Sequence, residues 1–312
     1  MIAVCTLFEG DYHYGLGALV NSLCRLGFAG VIWAGYRGML PPWASATKDY
    51  EDIRELRIQE DVLVRFVKIE TQDHFTNHKP QFMLRIMSLD PNAEAVLYFD
   101  PDITIKSHWE YFEEWLTCGV ALCEDVNSPL SENHPRRCAW RRFYNAHGIR
   151  LRFTTETYVN AGFIGLRRSH SSFLTTWARM QELMASQIGG LQCSSLGDES
   201  DVRGPEFCFS KSDQDALNAC IEAVDVPLSV LGKEGMDFVP GGFTMSHAIG
   251  RDKPWRKKFL SSALRGTPPT LADKSFLANT QSPIRLYSKL SLELRRKSLV
   301  AGSAIGRLIR RS

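Results

Sequence analysis

Hydrophobic and polar positions along the first hundred residues follow patterns that predict strands separated by helices. Short apolar or alternating runs, typical of strands, cover residues 1–8, 31–36, 62–69 and 93–99. Helix-length segments lie between them at residues 15–25, 46–57 and 79–89. Strands that alternate with helices are typical of β-α-β units. We therefore expect an α/β fold, Rossmann-like, with a mixed, mainly parallel sheet flanked by helices.

The second half of the chain has a weaker pattern. Strands are predicted over residues 119–123 and 158–166, and helices over residues 171–185 and 213–223. Between these two helices lies a long segment, residues 186–212, that is rich in glycine, serine and charge. A segment of that length is either a lid over a binding site or a plain surface insertion.

Composition indicates an ordinary globular protein. Of the 312 residues, 44% are hydrophobic and 23% are charged, and the mean hydropathy is −0.19. No run approaches the roughly 20 apolar residues that cross a bilayer, and the first nine residues indicate a buried strand rather than a signal peptide. We therefore expect a cytoplasmic location, with the eight scattered cysteines reduced.

Basic charge is concentrated at the C-terminal end of the chain. The net charge is +2, but from Arg285 onward there are eight basic residues and one acid, so the remainder carries −5. Leu286, Leu290 and Leu294 recur every four residues, as in an amphipathic helix on a membrane surface. We expect residues 271–312 to be a basic extension that binds anionic membranes. The alternative is a solvated basic terminus with its helix docked on the body.

Two aspartates directly follow the predicted strand 93–99. Asp100 and Asp102 flank a proline, and hard cations such as Mg²⁺ and Mn²⁺ prefer carboxylate oxygens. The pair therefore suits a metal that holds a diphosphate. Asp100-x-Asp102-x-Thr104 also resembles the first motif of haloacid-dehalogenase-type phosphatases, in which the first aspartate is the nucleophile. A plain strand-ending turn is the third alternative.

Three later segments carry further candidate chemistry. One is an Asn-Ala-Gly sequence at residues 160–162, where small residues allow a ligand to approach the backbone. A second, Asp213-Gln214-Asp215-Ala216-Leu217-Asn218, places acids and amides at the start of a helix. The third runs from His247 to Trp255 and places an imidazole, a glycine and a lysine three residues apart, which suits a metal ligand beside a phosphate-binding ammonium.

Together and in this order, the four segments resemble the GT-A glycosyltransferases, and specifically the family-8 type that retains anomeric configuration. The motifs are D-x-D after a strand, N-A-G, D-Q-D-x-L-N at a helix start, and H-x-x-G-x-x-K-P-W. The resemblance spans about residues 1–260, and residues 1–270 would form the catalytic domain. Residues 6–12 occupy the nucleotide-binding position but depart from the usual A-x-D-x-N-Y sequence.

The resemblance implies a role for each matching residue. Asp100, Asp102 and His247 would hold Mn²⁺ or Mg²⁺. Gly250 and Lys253 would contact the diphosphate, and Lys253 would neutralise the departing nucleotide. The other donor-binding and catalytic candidates are Thr6 and Tyr12 for the nucleoside, Lys79 or Arg85 for the phosphates or sugar, and Asn160, Asp213 and Gln214 for the sugar pocket, with Gln214 nearest the reacting carbon.

The expected activity is that of a metal-dependent hexosyltransferase. It would move a hexose from a UDP-sugar to a glycan or lipid-linked glycan, in the assembly of surface polysaccharide or lipopolysaccharide. Nucleic-acid binding is not expected, because the basic charge is confined to the C-terminal end of the chain. Two alternatives stay open: a phosphatase that uses Asp100 as nucleophile, and a catalytically silent relative that binds sugar nucleotides.

Overall fold

Strands and helices alternate along the chain in the computed structural model, which describes residues 1–50, 52–194 and 208–309. The strands are β1 (Ile2–Glu9), β2 (Gly30–Arg37), β3 (Lys48–Tyr50), β4 (Ile53–Arg57), β5 (Val62–Lys68), β6 (Ala95–Phe99), β7 (Ile103–Ile105), β8 (Val120–Cys123), β9 (Phe163–Arg167), β10 (Leu228–Leu231) and β11 (Met245–His247). The helices are α1 (His13–Arg25), α2 (Lys79–Leu89), α3 (Trp109–Trp115), α4 (Pro135–Ala146), α5 (Ser172–Ile188), α6 (Ser212–Ile221), α7 (Phe259–Leu264), α8 (Leu271–Ala278) and α9 (Lys289–Ile309).

The chain divides into two compact units. The first contains residues 1–7, 68–99 and 111–233, and the second contains residues 8–67, 100–110 and 234 onward. In the first unit the strand order is β10-β8-β9-β6-β1. There β1 runs parallel to β6 and β10 parallel to β8, whereas β9 is antiparallel to β6 and β8. The second unit has the order β2-β5-β4-β3 and a separate antiparallel pair, β7 with β11.

The predicted fold class, a mixed α/β sheet flanked by helices, is confirmed. Strand β6 shows why the sequence folds this way, because all five of its residues are apolar and buried. A continuous apolar run is typical of a central strand that is covered on both faces. Helix α2 has the bounds that the apolar spacing predicts.

The predicted helix over residues 46–57 is wrong. The structure has β3 and β4 there, in an antiparallel hairpin whose second strand continues the ladder to β5. The ladder places Leu56 opposite Val64 and Glu55 opposite Arg65, with an ion pair of 2.9 Å between the latter two. Cross-strand partners of this kind override the helix propensity of a Glu- and Arg-rich segment.

Two other predictions from the second half change in the structure. Only Phe163–Arg167 forms a strand in the region predicted as 158–166, apart from an isolated bridge between Val159 and Glu124. The start of the segment 186–212 completes helix α5, which ends at Gly189 in the left-handed conformation. Whether the segment is a lid concerns residues 195–207, which lie outside the described residues.

The C-terminal helix α9 packs within the second unit, and the predicted division into residues 1–270 and 271–312 stays a prediction. Its Leu292 is 1% exposed and packs in a cluster with Trp255, Phe259 and Phe276. Before the helix, the Ile284 backbone exchanges two hydrogen bonds with the Asn21 side chain, of 2.7 and 2.8 Å.

The stripe of leucines in this region is therefore divided between two environments. Leu286 packs against the same cluster, whereas Leu290 and Leu294 are 69% and 59% exposed. Within the described residues, no helix is long and apolar enough to cross a bilayer.

A buried charge cluster links helix α4 to the end of helix α6 in the first unit. The Glu222 carboxylate has no exposed side-chain surface and binds the guanidinium groups of Arg137 and Arg141. Arg137 is also buried, and it donates to the carbonyl oxygens of Leu130 and Thr157. A guanidinium at 2% exposure has little access to water, so this carboxylate is the counter-charge on which it depends.

We expect Glu222→Gln to lower the free energy of unfolding by about 3–5 kcal/mol, because it leaves a buried guanidinium without its counter-charge. Urea unfolding followed by circular dichroism measures the change. The matched control is Glu293→Gln, which breaks an exposed pair with Lys297 and should cost less than about 0.5 kcal/mol. Equal costs for the two variants would contradict this account.

Candidate functional site

The Asp100–Asp102 turn and His247 are brought together by a short antiparallel ladder. The turn connects β6 to β7 and is closed by a hydrogen bond from Ile103 N to Asp100 O of 3.0 Å. In the ladder His247 pairs with Ile103, and the backbone N–H of Ala248 donates to Asp102 O at 3.1 Å. Two segments about 145 positions apart in the sequence therefore place their side chains at one point.

The three side chains form a compact donor set. Ligand atoms of Asp100, Asp102 and His247 all lie within 4.8 Å of one another. The Nε2 atom of His247 is 3.3 Å from Asp102 Oδ1 and 3.8 Å from Asp100 Oδ2. The side chains of Asp102 and His247 are almost fully buried, and that of Asp100 is 22% exposed. Two carboxylates and one imidazole at this spacing fit a divalent cation with one open side.

Lys253 lies directly beside this donor set. Its Nζ donates to Asp102 Oδ2 and, at 2.9 Å, to the carbonyl oxygen of Ala248. Burial alone would raise the pKa of Asp102, but the charges of Lys253 and His247 hold that pKa below its ordinary value. Burial alone would lower the pKa of Lys253, and Asp102 instead raises it. The aspartate is therefore an anion and the lysine a cation.

Gly250 makes the turn that returns the chain to the site. It has a φ of +91°, a conformation that L side chains rarely adopt, and it lies midway between His247 and Lys253. The turn reverses the chain after β11, so that the lysine meets the carboxylate beside the imidazole. The predicted spacing of imidazole, glycine and ammonium thus has a direct structural reason.

Tyr12 lies in the same part of the second unit. Its ring centroid is 5.7 Å from Lys253 Nζ and 5.4 Å from Arg256 Cζ, and the Trp255 ring contacts it edge-on at 5.2 Å. The Arg256 guanidinium also forms a two-point ion pair with Asp11. Arg256 was not found from sequence, and its only signal was its position directly after the K-P-W motif.

Gly15 lets helix α1 approach the turn that carries Asp100 and Asp102 closely. A Cβ atom at this position would overlap the carbonyl oxygen of Pro101 and the ring of Trp255. The absence of a side chain here therefore sets where the turn between Asp100 and Asp102 lies against the helix.

A second group of predicted residues gathers in the first unit, around the backbone of residues 159–162. The N–H of Ala161 donates to Gln214 Oε1 at 3.2 Å, and its carbonyl oxygen accepts from Lys79 Nζ at 2.9 Å. The N–H of Gly162 donates to Asn160 Oδ1 at 2.8 Å. Side chains thus satisfy backbone groups that the short pairing of this segment with residues 123–125 leaves without a partner.

Lys79 and Asp213 are paired within this group. Lys79 Nζ is 3.1 Å from Asp213 Oδ2, and both side chains are 2–3% exposed. The ammonium also lies 5.4 Å from the centre of the Tyr98 ring. In this position Lys79 holds the backbone of residues 159–162 in place. Its assignment to the phosphates or sugar of a nucleotide-sugar donor stays a prediction.

Two residues of this cluster were missed by sequence reasoning. The Asn218 amide bonds both the N–H and the C=O of Val159, each at 2.8 Å, as a neighbouring strand would. Asp125 Oδ2 accepts from Asn160 Nδ2 at 2.7 Å. The D-Q-D-x-L-N motif, which ends at Asn218, could have identified that residue from the sequence. Asp125 follows a strand but belongs to no motif.

Asp215, the second acid of that motif, has a structural environment. It accepts from Tyr158 Oη at 2.7 Å and pairs with Arg136. Burial raises its pKa to about 6 even though Arg136 opposes the shift. It is fully buried, so it serves to hold α6 and α4 together.

The two remaining candidates lie outside the hydrogen-bonded cluster. Thr6 is buried on β1, and within the described residues its hydroxyl has no hydrogen-bond partner. Arg85 is exposed on α2, which agrees with a solvated helix face. Their assignments to the nucleoside and the phosphates stay predictions.

Comparisons with known proteins identify the fold. The chain is similar to the bifunctional glycosyltransferase WbbM in its apo form, with a TM-score of 0.51 and 15% identity over 94% of this chain and 51% of that one. It is also similar to the glycosyltransferase GlyE of Streptococcus pneumoniae TIGR4, with a TM-score of 0.51 and 16% identity over 95% of this chain and 64% of that one. The chain thus has a glycosyltransferase fold, and it spans between half and two thirds of the length of these two structures.

Comparisons at the level of sequence give no match. No protein-family model and no curated protein matches the chain. At 15–16% identity the structural likeness concerns the fold, and the chemistry must be argued from the residues themselves.

We expect Gly15→Ala to lower the free energy of unfolding by about 1–3 kcal/mol, because the added methyl group displaces the turn at Asp100–Asp102 or Trp255. The control is Gly17→Ala on the same helix, where the methyl group meets only the flexible end of Leu286 and the change should stay within about 1 kcal/mol. Chemical unfolding of both variants measures this. A Gly15→Ala protein as stable as the control would contradict the close approach.

Proposed function

We propose that this chain is a metal-dependent glycosyltransferase that moves a hexose from a UDP-sugar to a glycan or lipid-linked glycan, with retention of configuration. The main observation that supports this proposal is a cluster of four side chains in a glycosyltransferase fold. Asp100, Asp102 and His247 lie close together, and Lys253 binds Asp102 beside them. A divalent ion held by the three donors would neutralise the diphosphate oxygens and stabilise the leaving nucleotide.

The residues around the donor set support a diphosphate ligand. Lys253 supplies an ammonium beside the donor set, and the turn at Gly250 leaves the neighbouring backbone exposed to a phosphate. Tyr12, with Lys253 and Arg256 near its ring, is suited to a nucleoside at the same end. A phosphatase using Asp100 as nucleophile would give His247, Gly250 and Lys253 no role.

The sugar-binding proposal rests on the first unit. Asn160, Asp213 and Gln214 are held within one buried network, as contacts to a sugar would require. Gln214 accepts a hydrogen bond from the Ala161 N–H through its Oε1 atom, which fixes the position of its amide group within this network. An amide is a poor nucleophile, and we therefore assign Gln214 to orientation and charge stabilisation.

The C-terminal surface supports peripheral attachment to the inner face of a membrane. Leu290 and Leu294 are exposed beside Lys257, Lys258 and Arg295, with which they line a shallow groove of about 470 Å³. Exposed leucines next to basic side chains fit a surface of anionic lipid. On this proposal residues 1–270 form the catalytic domain, residues 271–312 form the membrane-binding extension, and the acceptor is lipid-linked.

We expect Mn²⁺ together with one UDP-hexose to raise the melting temperature and to support sugar transfer, and EDTA to remove both effects. Asp100→Asn and His247→Ala should each lower turnover about 100-fold or more while the circular dichroism spectrum is kept, because each removes a metal ligand. The controls are Glu110→Gln and His108→Ala, exposed residues of the same unit. A liquid-chromatography assay of UDP release measures turnover.

Three results of that experiment would contradict the proposal. Full turnover by either ligand variant would remove the metal site. Hydrolysis of simple phosphate esters with Mg²⁺, and no transfer, would favour the phosphatase. Binding of UDP without turnover of any UDP-sugar would favour a catalytically silent relative.

We expect the full-length protein to float with vesicles that contain phosphatidylglycerol, and the double variant Leu290→Glu with Leu294→Glu to bind them about 100-fold more weakly. Full-length variants are required because a truncation before α9 would remove buried Leu292. The control is Met39→Glu with Val239→Glu, which makes the same charge change at exposed apolar positions elsewhere. Equal flotation of both double variants would remove the membrane proposal.

A further inference from the structure

The ammonium of Lys253 already occupies one side of the carboxylate that the metal would use. Asp102 presents Oδ1 to His247 Nε2, and its Oδ2 accepts a hydrogen bond from Lys253 Nζ. Both oxygens of the more buried aspartate are therefore engaged by side chains of this chain. Lys253 itself is 8% exposed, so water screens this pair only weakly.

A free dication meets two obstacles at such a site. Its positive charge would lie a few ångströms from a buried ammonium, and like charges at that distance repel strongly where water is scarce. It would also compete with that ammonium for the lone pairs of Asp102. Asp100, with its side chain 22% exposed, is the more accessible carboxylate, but alone with an imidazole it makes a weaker donor set.

A diphosphate removes both obstacles. Its oxygens give the ammonium an alternative anionic partner, and they supply additional ligands to the metal. Lys253 lies three residues after Gly250, and residues 249–252 are all exposed, so a ligand from solvent can reach this turn. Released from Asp102, the lysine would leave that carboxylate to the metal.

We propose that Lys253 is the internal counter-cation of Asp102, so that the site takes a divalent ion only together with a diphosphate. The true ligand is then the metal–nucleoside diphosphate complex rather than the free ion. This inference rests on the proposed function, and it adds that metal and nucleotide binding are coupled through one ammonium. By linkage, each ligand raises the affinity for the other by the same factor.

Mn²⁺ binding, followed by the electron paramagnetic resonance signal of the free ion, tests the coupling without reference to activity. Full-length wild-type protein, Lys253→Met and Lys253→Arg are titrated with Mn²⁺ alone and with saturating UDP, after correction for the Mn²⁺ that UDP binds in solution. The matched control is Lys258→Met, which removes an exposed lysine of the same segment.

For wild type we expect weak binding of Mn²⁺ alone and binding at least about tenfold tighter with UDP. Lys253→Met should bind Mn²⁺ alone at least about tenfold more tightly than wild type, because the competing ammonium is gone. Saturating UDP should then raise the Mn²⁺ affinity of this variant by about threefold or less. Lys253→Arg, which keeps the cation, and Lys258→Met should both bind Mn²⁺ alone as weakly as wild type.

The outcomes separate this inference from the proposed function. If Lys253→Met binds Mn²⁺ alone no more tightly than wild type, the counter-cation is overturned although the metal site stands. If wild type binds Mn²⁺ equally well with and without UDP, the inference is overturned whether or not the methionine variant folds. If wild type binds no Mn²⁺ in either condition, the proposed function fails and the inference falls with it.

Discussion

The buried charge of Asp102 is the constraint around which the candidate site is built. A carboxylate at 4% side-chain exposure is stable as an anion only with close polar partners, and here Lys253 supplies a counter-charge while the His247 ring lies 3.3 Å away. The need for both partners explains the local structure: the β7–β11 ladder positions the imidazole, and the turn at Gly250 returns the ammonium. Because the Asp102 carboxylate is already paired with the Lys253 ammonium, an incoming cation must displace that ammonium to bind both carboxylate oxygens.

In the first unit, side chains satisfy buried backbone groups rather than a buried charge. The backbone of residues 159–162 is buried and pairs with a neighbouring segment at Val159, so its remaining N–H and C=O groups need other partners. Gln214, Asn218 and Lys79 provide them, from helices α6 and α2. The same side chains therefore set the shape of this segment and of any ligand pocket that it lines.

Much of the fold and of the candidate metal site could be predicted from the sequence. Continuous apolar runs such as β6 identify buried strands, and the motif of His247, Gly250 and Lys253 identifies residues that a single turn brings together. Short elements could not be predicted, since β7 and β11 have three residues each and owe their structure to one another. The hairpin of β3 and β4 was missed because its signal lies in the pairing of neighbouring strands rather than in the apolar spacing of the segment itself.

Asn218 and Arg256 show a further limit of prediction from sequence, because each contacts backbone or rings that only the fold brings near.

The C-terminal region shows how one sequence pattern can have two causes. A leucine every fourth residue predicts an apolar face, but not what covers it. In the structure Leu286 and Leu292 are covered by the second unit, and Leu290 and Leu294 are not. Docking fixes the helix before any partner arrives, so binding through its exposed leucines would require little further ordering of the chain. A docked helix and a membrane-binding helix are thus compatible here, because they use different faces of α9.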